Sequence, residues 1–486
     1  MGVKRKTGEG DDSMTLEALN ERVRTDLAYL AFGGTNWVRP QTRPEGHVYD
    51  VVVVGGGQSG LGIAFGLLKE RISNILVIDE NPEGWEGPWE TYARMVTLRT
   101  PKHLTSIDLG IPSLTFRAWW EAQHGPEGWE QIGKIPRGDW MNYLRWYRKA
   151  LQLPVANETK LSVIEPAGHG VHRLRLEGAG APAPALLARK VVLATGIQGG
   201  GEWHVPSMIA DHLPRSLYAH TSERIDFEKL KGKRIGILGG GASAFDNAQF
   251  ALGEGVAEAH VFVRRRELPR INPIRKMEAS GMIERYPALP DADKYAVMVH
   301  FFANNQPPTN DTFERAAAWP GFRLHLGEPW LRAKPSGAGC TVETPQGEYE
   351  FDFLIVSTGL LTDPALRPEL RLVEGHIARW GDVYRAPAEL AHPMIDAHPY
   401  LTPGFAFVSR DEPGRQRLHG LFSFSYSALI SCGVSASALS GMKFGIPRIV
   451  SAVADQLFLD DRDAILQDYY NYDEPEFVGT WPKAQA

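Results

Sequence analysis

The residues with the clearest chemical spacing form a cluster of glycines after four consecutive valines. Gly55, Gly57 and Gly60 fit the pattern G-x-G-x-x-G. In that pattern the first glycine allows a tight strand-to-helix turn, the second lets the backbone approach a pyrophosphate, and the third lets the helix pack on the strand. Gln58 and Ser59 open the predicted helix, whose unpaired N–H groups point at the phosphates. The cluster therefore predicts a dinucleotide-binding site.

An acidic pair completes this predicted site. Residues 75–78 form a second short apolar run that ends at Asp79 and Glu80, about where a carboxylate meets the ribose hydroxyls of a dinucleotide. A glycine-rich turn alone occurs in many α/β proteins, but here strand, turn, helix, strand and acid follow one another in order. We take Asp79 as the first choice for the ribose ligand and Glu80 as the alternative.

A second glycine cluster repeats the arrangement later in the chain. Gly239, Gly241 and Ala244 follow another apolar strand and fit G-x-G-x-x-A, with Ser243 and Asp246 in the first helical turn. The same turn, close backbone approach and helix packing are implied here. The spacing predicts that one chain binds two dinucleotides.

The second site differs from the first in charge. Its second strand ends at Arg264, Arg265 and Arg266, where the first copy has its acid. A guanidinium matches the ribose 2′-phosphate of NADP in geometry and charge, so we predict that Arg264 and Arg265, ahead of Arg266, bind that phosphate. A solvated basic turn is the alternative. The first site then suits FAD and the second NADPH, with hydride passing between them.

The elements that must position these residues follow from the strand pattern. Apolar strands at 190–198 and 351–360 each end in Thr-Gly, each follows a predicted hairpin (161–177 and 340–350), and the second fingerprint lies between them. This order predicts an α/β fold with two Rossmann-like dinucleotide-binding domains, the NADP domain being inserted in a discontinuous FAD domain. The predicted boundaries are 1–45 for an N-terminal tail and helix, 46–203 for the first part of the FAD-binding domain, 204–351 for the NADP-binding domain, and 352–486 for the second part of the FAD-binding domain and the C-terminal helices.

Four further segments carry weaker signals. Residues 1–14 are predicted to be a disordered tail, and apolar residues at helical spacing predict one helix within 15–33 and another from about Pro447. The segment 116–133 gathers three tryptophans in a polar, glycine-bearing context. These aromatic rings would either roof a substrate pocket from a loop or form a satellite core.

Composition narrows the functional classes. The 486 residues have a formal net charge of -6 with mixed signs, which argues against nucleic acid and against a polybasic membrane anchor. We expect no signal peptide and no transmembrane span. Cys340 and Cys432 are too far apart in sequence for a redox dithiol, and the scattered histidines predict no metal site. We expect a cytoplasmic protein with a small-molecule partner, and a homodimer stays open.

Together these motifs resemble the class B flavoprotein monooxygenases, which comprise flavin-containing, N-hydroxylating and Baeyer–Villiger monooxygenases. The resemblance covers residues 46–460 and rests on the two fingerprints, on an Ala-Thr-Gly link and on the segment GPWETYARMVTLRTPK. It implies that Thr195 and Gly196 of the link line the cofactor site. It also implies that Trp89 lies beside the flavin and that Arg99 lies near the isoalloxazine ring.

The resemblance is incomplete at one signature. The F-x-G-x-x-x-H motif of the family would end at His220, but Pro214 and Ser216 stand where Phe and Gly belong. No subfamily is therefore assigned. By the same resemblance His220 contacts NADP, and a histidine in a surface loop is the alternative.

The chemistry implied is that of an FAD-dependent, NADPH-using monooxygenase. NADPH reduces FAD, O2 adds at the flavin C4a, and the resulting (hydro)peroxide passes one oxygen atom to a small organic substrate. Arg99 would supply a positive charge that favours the peroxide anion, or would form an ordinary salt bridge. The alternatives are an NADPH-dependent flavin dehydrogenase or oxidase without oxygen insertion, and a nucleotide-binding redox sensor. The sequence does not name the substrate.

Overall fold

The computed structural model describes residues 15–304 and 306–481, so the predicted disordered tail, 1–14, lies outside the described residues. The strands are β1 (Thr42–Arg43), β2 (Gly46–Val54), β3 (Ile75–Ile78), β4 (Val155–Ala156), β5 (Lys160–Pro166), β6 (His172–Glu177), β7 (Ala185–Gly196), β8 (Gly201–Trp203), β9 (Tyr218–His220), β10 (Arg234–Leu238), β11 (Glu258–Val263), β12 (Phe322–Leu326), β13 (Arg332–Ser336), β14 (Gly339–Thr344), β15 (Gly347–Phe351), β16 (Phe353–Val356), β17 (Leu360–Thr362) and β18 (Leu421–Ser425).

The helices are interspersed with these strands, and among the described residues after β17 only β18 is a strand of the sheets. They are α1 (Leu16–Tyr29), α2 (Gln58–Lys69), α3 (Phe116–Gln131), α4 (Arg137–Ala150), α5 (Ser207–Ala210), α6 (Ala242–Gly253), α7 (Pro273–Ala279), α8 (Met282–Arg285), α9 (Asp291–Asn304), α10 (Asn310–Ala317), α11 (Trp380–Val383), α12 (Pro393–Asp396), α13 (Glu412–Leu418), α14 (Leu429–Cys432), α15 (Leu439–Asp460) and α16 (Arg462–Asn471).

The first lobe is built on a mixed sheet that contains the strand before the first glycine cluster. β2 pairs in parallel with β3 and β7, and β18 joins β7 in parallel. β5 and β6 extend the sheet as an antiparallel hairpin, as predicted for 161–177. The valines of β2 are buried because both faces of the sheet are covered, which explains their continuous apolar run. The parallel strands place the glycine turn and the acid at one sheet edge.

The second lobe is built on a parallel sheet in the order β12-β11-β10-β16-β9. The sequence boundary assigned residues 352 onward to the other domain, but β16 lies between β10 and β9. The return of the chain to the first lobe therefore comes after Val356. A short buried strand such as Phe-Leu-Ile-Val suits either parallel sheet, and only tertiary pairing decides between them. The predicted hairpin at 340–350 is present as β14 and β15.

The two crossings between the lobes pair with each other. β8 lies where the chain leaves the first lobe for the second, and β17 lies where it returns. The two strands form a two-stranded antiparallel ribbon in which Gly201 lies opposite Thr362. A Cβ atom at Gly201 would stand 1.8 Å from Leu361 O, so the close approach of the strands requires glycine there. The lobes are thus joined at this point by a narrow ribbon.

A helical layer, α7 to α9, leaves the second lobe and packs on the C-terminal part of the chain. Its Tyr286 and Tyr295 are buried beside Trp380 and Ile430 in one apolar cluster. Tyr286 OH donates to Ile430 O at 3.0 Å, and Tyr295 OH donates to Asp396 Oδ1 at 2.8 Å. The sequence did not predict this layer.

The tryptophan-rich segment belongs to the main core. Trp119, Trp120 and Trp129 are buried in the same apolar cluster as the first sheet. They lie on α3, which is kinked at Gly125, where φ is 69°. The glycine and the proline after it therefore bend a helix instead of marking a loop, and none of the three tryptophans reaches the interlobe cleft.

The predicted terminal helices are both present, but one begins earlier than expected. α1 buries Leu19 and Val23, as the predicted spacing requires, whereas α15 begins at Leu439 and contains Pro447 in its interior. Tight packing of α15 on α2 outweighs the proline. Within 15–304 and 306–481 no single helix is long and apolar enough to span a bilayer, and the segments Tyr426–Ala436 and Leu439–Asp460 meet that criterion only together, across a bend of 104°.

Candidate active site

A large cleft of about 1690 Å³ lies between the two lobes. Both glycine turns, both Thr-Gly strand ends and the residues of the crossings contribute to its wall. The carboxyl ends of the parallel strands open onto it, which is where open α/β sheets bind their ligands. The cleft is therefore the candidate active site.

The first glycine turn has the geometry that its spacing predicted. Gly55 has φ 109°, and a Cβ there would stand 2.5 Å from Ala194 O. A Cβ at Gly60 would stand 1.8 Å from Gly55 O, so glycine is required for α2 to lie against the strand. At Gly57 a Cβ would meet only Gly87, at 3.7 Å and beyond. The protein itself thus leaves room at Gly57, on the wall of the cleft.

The two acids after β3 have different roles in the structure. Asp79 is buried, and its carboxylate accepts hydrogen bonds from the N–H of Gly56 at 2.7 Å and from the N–H of Asn81 at 2.8 Å. Glu80 is exposed and accepts from Gln198 Nε2 at 3.4 Å. Both acids line the cleft. Asp79 therefore orders the glycine turn, and the contact of either carboxylate with a ribose stays a prediction.

Two more first-lobe residues that line the cleft carry buried polar atoms. Trp89 Nε1 and Thr195 Oγ1 are buried and have no hydrogen-bond partner among the described residues. Gly196 follows with φ 67°. Gln58 Oε1 accepts from Trp140 Nε1 at 3.0 Å, and Ser59 Oγ lies 3.9 Å from Met442 Sδ, so both are held at the start of α2. This cradle fits a dinucleotide, with helix N–H groups for its phosphates.

The second glycine turn repeats this geometry. Gly239 has φ 145°, and a Cβ there would stand 2.4 Å from Ser357 O. Gly241 caps α6, Ser243 is exposed in its first turn, and Ala244 is fully buried against the sheet. The cleft wall includes the turn from Gly239 to Ser243.

The arginines after β11 are exposed. Arg264 and Arg265 line the cleft, and Arg265 Nη2 donates to Ala303 O at 3.1 Å. Arg266 is not part of the cleft wall and lies near Gly327. The positions agree with the predicted order of preference, while the binding of a 2′-phosphate stays a prediction.

Arg99 lies at the cleft, but its guanidinium is ion-paired. It donates to the Asp246 carboxylate on α6 of the second lobe, which is buried. Burial raises the pKa of Asp246, and the charge of Arg99 acts in the opposite direction. Of the two roles considered for Arg99, a catalytic charge or an ordinary salt bridge, its observed contact is the salt bridge. Its catalytic role stays a prediction.

His220 ends β9 and is fully buried at the wall of the cleft. Its ring stacks on Trp203 with a centroid distance of 4.9 Å, and its Nδ1 accepts from the N–H of Ser222 at 3.1 Å. Burial lowers the pKa of His220 to about 4. The ring is therefore neutral at physiological pH. Because the side chain is fully buried, the alternative of a histidine in a surface loop does not describe it. Contact with NADP stays a prediction.

Arg94 is a residue that sequence reasoning missed. Its buried guanidinium donates to Thr221 O and to Glu223 O, each at 2.6 Å, and so joins the two lobes. Burial and the nearby charge of Arg137 lower the pKa of Arg94 to about 10, which leaves it cationic. Its partners are backbone carbonyls far along the chain, for which a sequence holds no signal.

Comparison with known proteins assigns the chain to a family. It is 62% identical over 471 residues to the FAD-dependent urate hydroxylase of Xanthomonas campestris pv. campestris, covering 97% of this chain and 99% of that protein. Residues 52–198 match the model for FAD-NAD(P)-binding proteins, and residues 130–288 match the model for L-lysine 6-monooxygenase/L-ornithine 5-monooxygenase. The chain belongs to the class B flavin monooxygenase family.

Solved structures agree in fold with this class B flavin monooxygenase. Reduced ornithine hydroxylase from Pseudomonas aeruginosa superposes with a TM-score of 0.68 at 16% identity, covering 84% of this chain and 100% of that one. Ornithine N-hydroxylase from Kutzneria sp. 744 gives 0.67 at 16% identity, covering 84% and 99%. The resemblance predicted from the motifs is confirmed. The enzyme is an FAD-dependent oxidoreductase with an NAD(P)H-binding domain, and it acts with O2 on a small molecule.

Proposed function

We propose that this enzyme hydroxylates urate, or a purine of the same planar and anionic kind, with FAD, NADPH and O2. The observation that carries the proposal is the 62% identity, over 97% of the chain, to a protein named as an FAD-dependent urate hydroxylase. The family model of lysine and ornithine monooxygenases covers only residues 130–288, and the ornithine hydroxylases are 16% identical. The urate assignment therefore has the broader support.

On the side of the cleft formed by α6 and α7, charge favours an anionic substrate over an amine. An amine substrate needs a carboxylate acceptor. On α6 and α7 the carboxylates that line the cleft are Asp246 and Glu278. Asp246 is paired with Arg99, and Glu278 accepts from Arg275 Nη1 at 2.8 Å. Both carboxylates are already neutralised by arginine, which leaves this side of the cleft unsuited to an ammonium group.

The residues on the cleft wall have separate tasks in this reaction. When bound, FAD takes hydride from NADPH and activates O2, so that one oxygen atom enters the substrate as hydroxyl and the other leaves as water. The N–H groups at the start of α2 would hold the pyrophosphate of FAD, and Asp79 or Glu80 would accept hydrogen bonds from its ribose hydroxyls. Trp89 and Thr195 also line this wall, and the indole N–H of one and the hydroxyl of the other are buried without a hydrogen-bond partner among the described residues.

The test is an assay of the FAD-loaded protein with NADPH and urate. We expect urate and O2 to be consumed in equal amounts, with heavy-isotope O2 placing one labelled oxygen atom in the product. L-Ornithine and L-lysine are the controls and are expected to give no hydroxylated product. Stoichiometric H2O2 with unchanged urate would contradict the proposal and favour an NADPH oxidase. Slow turnover with every substrate would favour a redox sensor.

A second prediction concerns the choice between NADPH and NADH. Arg264→Ala is expected to lower kcat/KM for NADPH by about 10- to 100-fold, because a hydrogen bond from a charged group to the 2′-phosphate contributes about 1.5–3 kcal/mol. kcat/KM for NADH, which lacks that phosphate, is expected to stay near the wild-type value. Arg266→Ala is the matched control, since it removes the same charge beside the cleft and outside its wall. Equal losses with both nucleotides would show that Arg264 does not bind this phosphate.

A further inference from the structure

We infer that two ion pairs form an electrostatic clasp between the lobes, and that this clasp positions the NAD(P)H-binding lobe for hydride delivery to FAD. The clasp consists of Arg99 with Asp246 and of Lys134 with Asp311, whose Nζ and Oδ1 atoms lie 2.5 Å apart. In both pairs the cation belongs to the first lobe and the acid to the second. The inference rests on the FAD and NAD(P)H chemistry of the family and is independent of the urate proposal.

The two cations are presented together by a small piece of β structure. Thr97 and Pro136 form an antiparallel bridge, and the N–H of Leu98 donates to Ile135 O at 2.8 Å. Leu98 and Ile135 are buried in the main core, so the bridge is firmly seated. Arg99 lies just beyond one strand of this bridge, and Lys134 lies just before the other.

The two acids are also held together. Asp246 lies on α6 and Asp311 on α10, helices that pack through Phe245 and Phe313 with ring centroids 5.6 Å apart. Thr312 Oγ1 donates to Asp246 Oδ1 at 3.4 Å and links the two helices. A rigid pair of cations therefore faces a rigid pair of acids. This arrangement specifies one relative position of the lobes better than a single surface ion pair does.

The sheets of the two lobes lie in separate apolar clusters, and the apolar link between the lobes is the helical layer α7 to α9. The apolar clusters of the second lobe contain residues between 205 and 356 only, and the cluster around the first sheet contains none from that range, among the described residues. Contacts across the boundary include the clasp and hydrogen bonds from Arg94 to Thr221 O and Glu223 O. Interfaces without a large apolar area allow domain movement by default, so beside α6 and α10 the ion pairs add to the apolar link of α7 to α9 in holding the spacing of the lobes.

The position of α6 matters for the reaction because its first turn carries the second fingerprint. Asp246 and Ser243 are on the same helix, so a shift of Asp246 moves the bound nucleotide relative to FAD. Hydride passes from the nicotinamide to the flavin with its two electrons, and a misplacement of about 1 Å can slow such a step about 100-fold. Asp246 and Lys134 are thus positioning residues.

The test compares Asp246→Asn and Lys134→Ala in FAD-loaded protein. We expect both variants to keep their FAD content. The rate of anaerobic flavin reduction by NADPH is expected to fall by about tenfold or more for Asp246→Asn and by less for Lys134→Ala. Both variants are expected to have a larger radius of gyration by small-angle X-ray scattering. High salt is expected to slow flavin reduction and to enlarge the radius of gyration of the wild-type protein. The charge exchange that combines Arg99→Asp with Asp246→Arg is expected to restore part of the reduction rate and part of the compactness.

The control is Arg234→Ala, which breaks an ion pair with Glu258 inside the second lobe, where Nε and Oε2 lie 2.6 Å apart. It is expected to leave the reduction rate and the scattering unchanged. If Arg99→Ala alone slows the enzyme and Lys134→Ala matches wild type in rate and scattering, Arg99 acts as a local charge and the clasp is overturned. If Asp246→Asn does not fold, Lys134→Ala and the salt dependence decide the question by the same criteria.

Discussion

Gly57→Ala is expected to fold normally and to bind FAD about 10- to 100-fold more weakly than the wild-type protein. An added Cβ would meet only Gly87 Cα at 3.7 Å and Gly87 N at 3.8 Å, which are ordinary contact distances. The free protein therefore tolerates the methyl group, whereas a pyrophosphate has to approach the backbone at this position. Forcing a methyl group into a close contact costs about 1–3 kcal/mol, which corresponds to that loss of affinity.

The measurement is the ratio of flavin to protein after gel filtration, followed by titration of the flavin-free protein with FAD. Gly253→Ala, on a helix where an added Cβ meets nothing within 4 Å, is the matched control and should keep its flavin. Gly60→Ala is the opposite control, because its Cβ would stand 1.8 Å from Gly55 O and should destabilise the fold itself. Full flavin content in Gly57→Ala would show that the first fingerprint does not approach the pyrophosphate.

The second large effect is expected in a buried ion cluster away from the cleft. Arg189 lies in β7 and is 1% exposed. Its guanidinium donates to both carboxylate oxygens of Asp461, at 3.0 and 2.9 Å, and lies 3.7 Å from the buried Asp50. The next residue, Lys190, is also buried, and its Nζ lies 2.7 Å from Asp460 Oδ2. The cluster joins the first sheet to the end of α15.

Arg189→Met is expected to lower the free energy of unfolding by about 3–5 kcal/mol, because it leaves Asp50 and Asp461 as buried charges without their partner. Denaturant unfolding of the FAD-loaded protein measures this loss. Arg175→Met, in the neighbouring strand β6, is the control: Arg175 is exposed and its Nε pairs with Glu165 Oε1 at 2.9 Å. Exposed pairs contribute at most about 1 kcal/mol. Similar losses in the two variants would contradict the importance of burial here.

Sequence and structure agree best where the signal is local. Each fingerprint is a short run in which a strand, a glycine turn and the start of a helix follow within a few residues. The need for glycine at Gly55 and Gly60 could therefore be inferred from the sequence. The buried parallel strands could be read as β-branched runs for the same reason. Two nucleotide sites facing one cleft, and the family that carries them, were therefore predictable.

The sequence was less decisive where a short motif was compatible with two tertiary settings. For the segment 116–133 it left a loop over a pocket and a satellite core open; in the structure the tryptophans are held by the main core, and Gly125 only kinks α3. Pro447 was expected to start α15, but the turn before it is held helical by contact with α2. There a Cβ at Gly62 would stand 2.5 Å from Ile446 Cδ1.

The sequence by itself determined the α/β class, the two dinucleotide-binding turns and the membership of the flavin monooxygenases. It also determined that acids follow the second strand of the first site and arginines follow that of the second. All these features depend on residues close together along the chain. Only the tertiary structure decided that β16 belongs to the second sheet, that α7 to α9 pack on the C-terminal part, and that Arg99 is paired with Asp246. These outcomes depend on contacts between segments more than a hundred residues apart, and the free energy of such contacts is set by burial and shape in the folded chain, which no local pattern encodes.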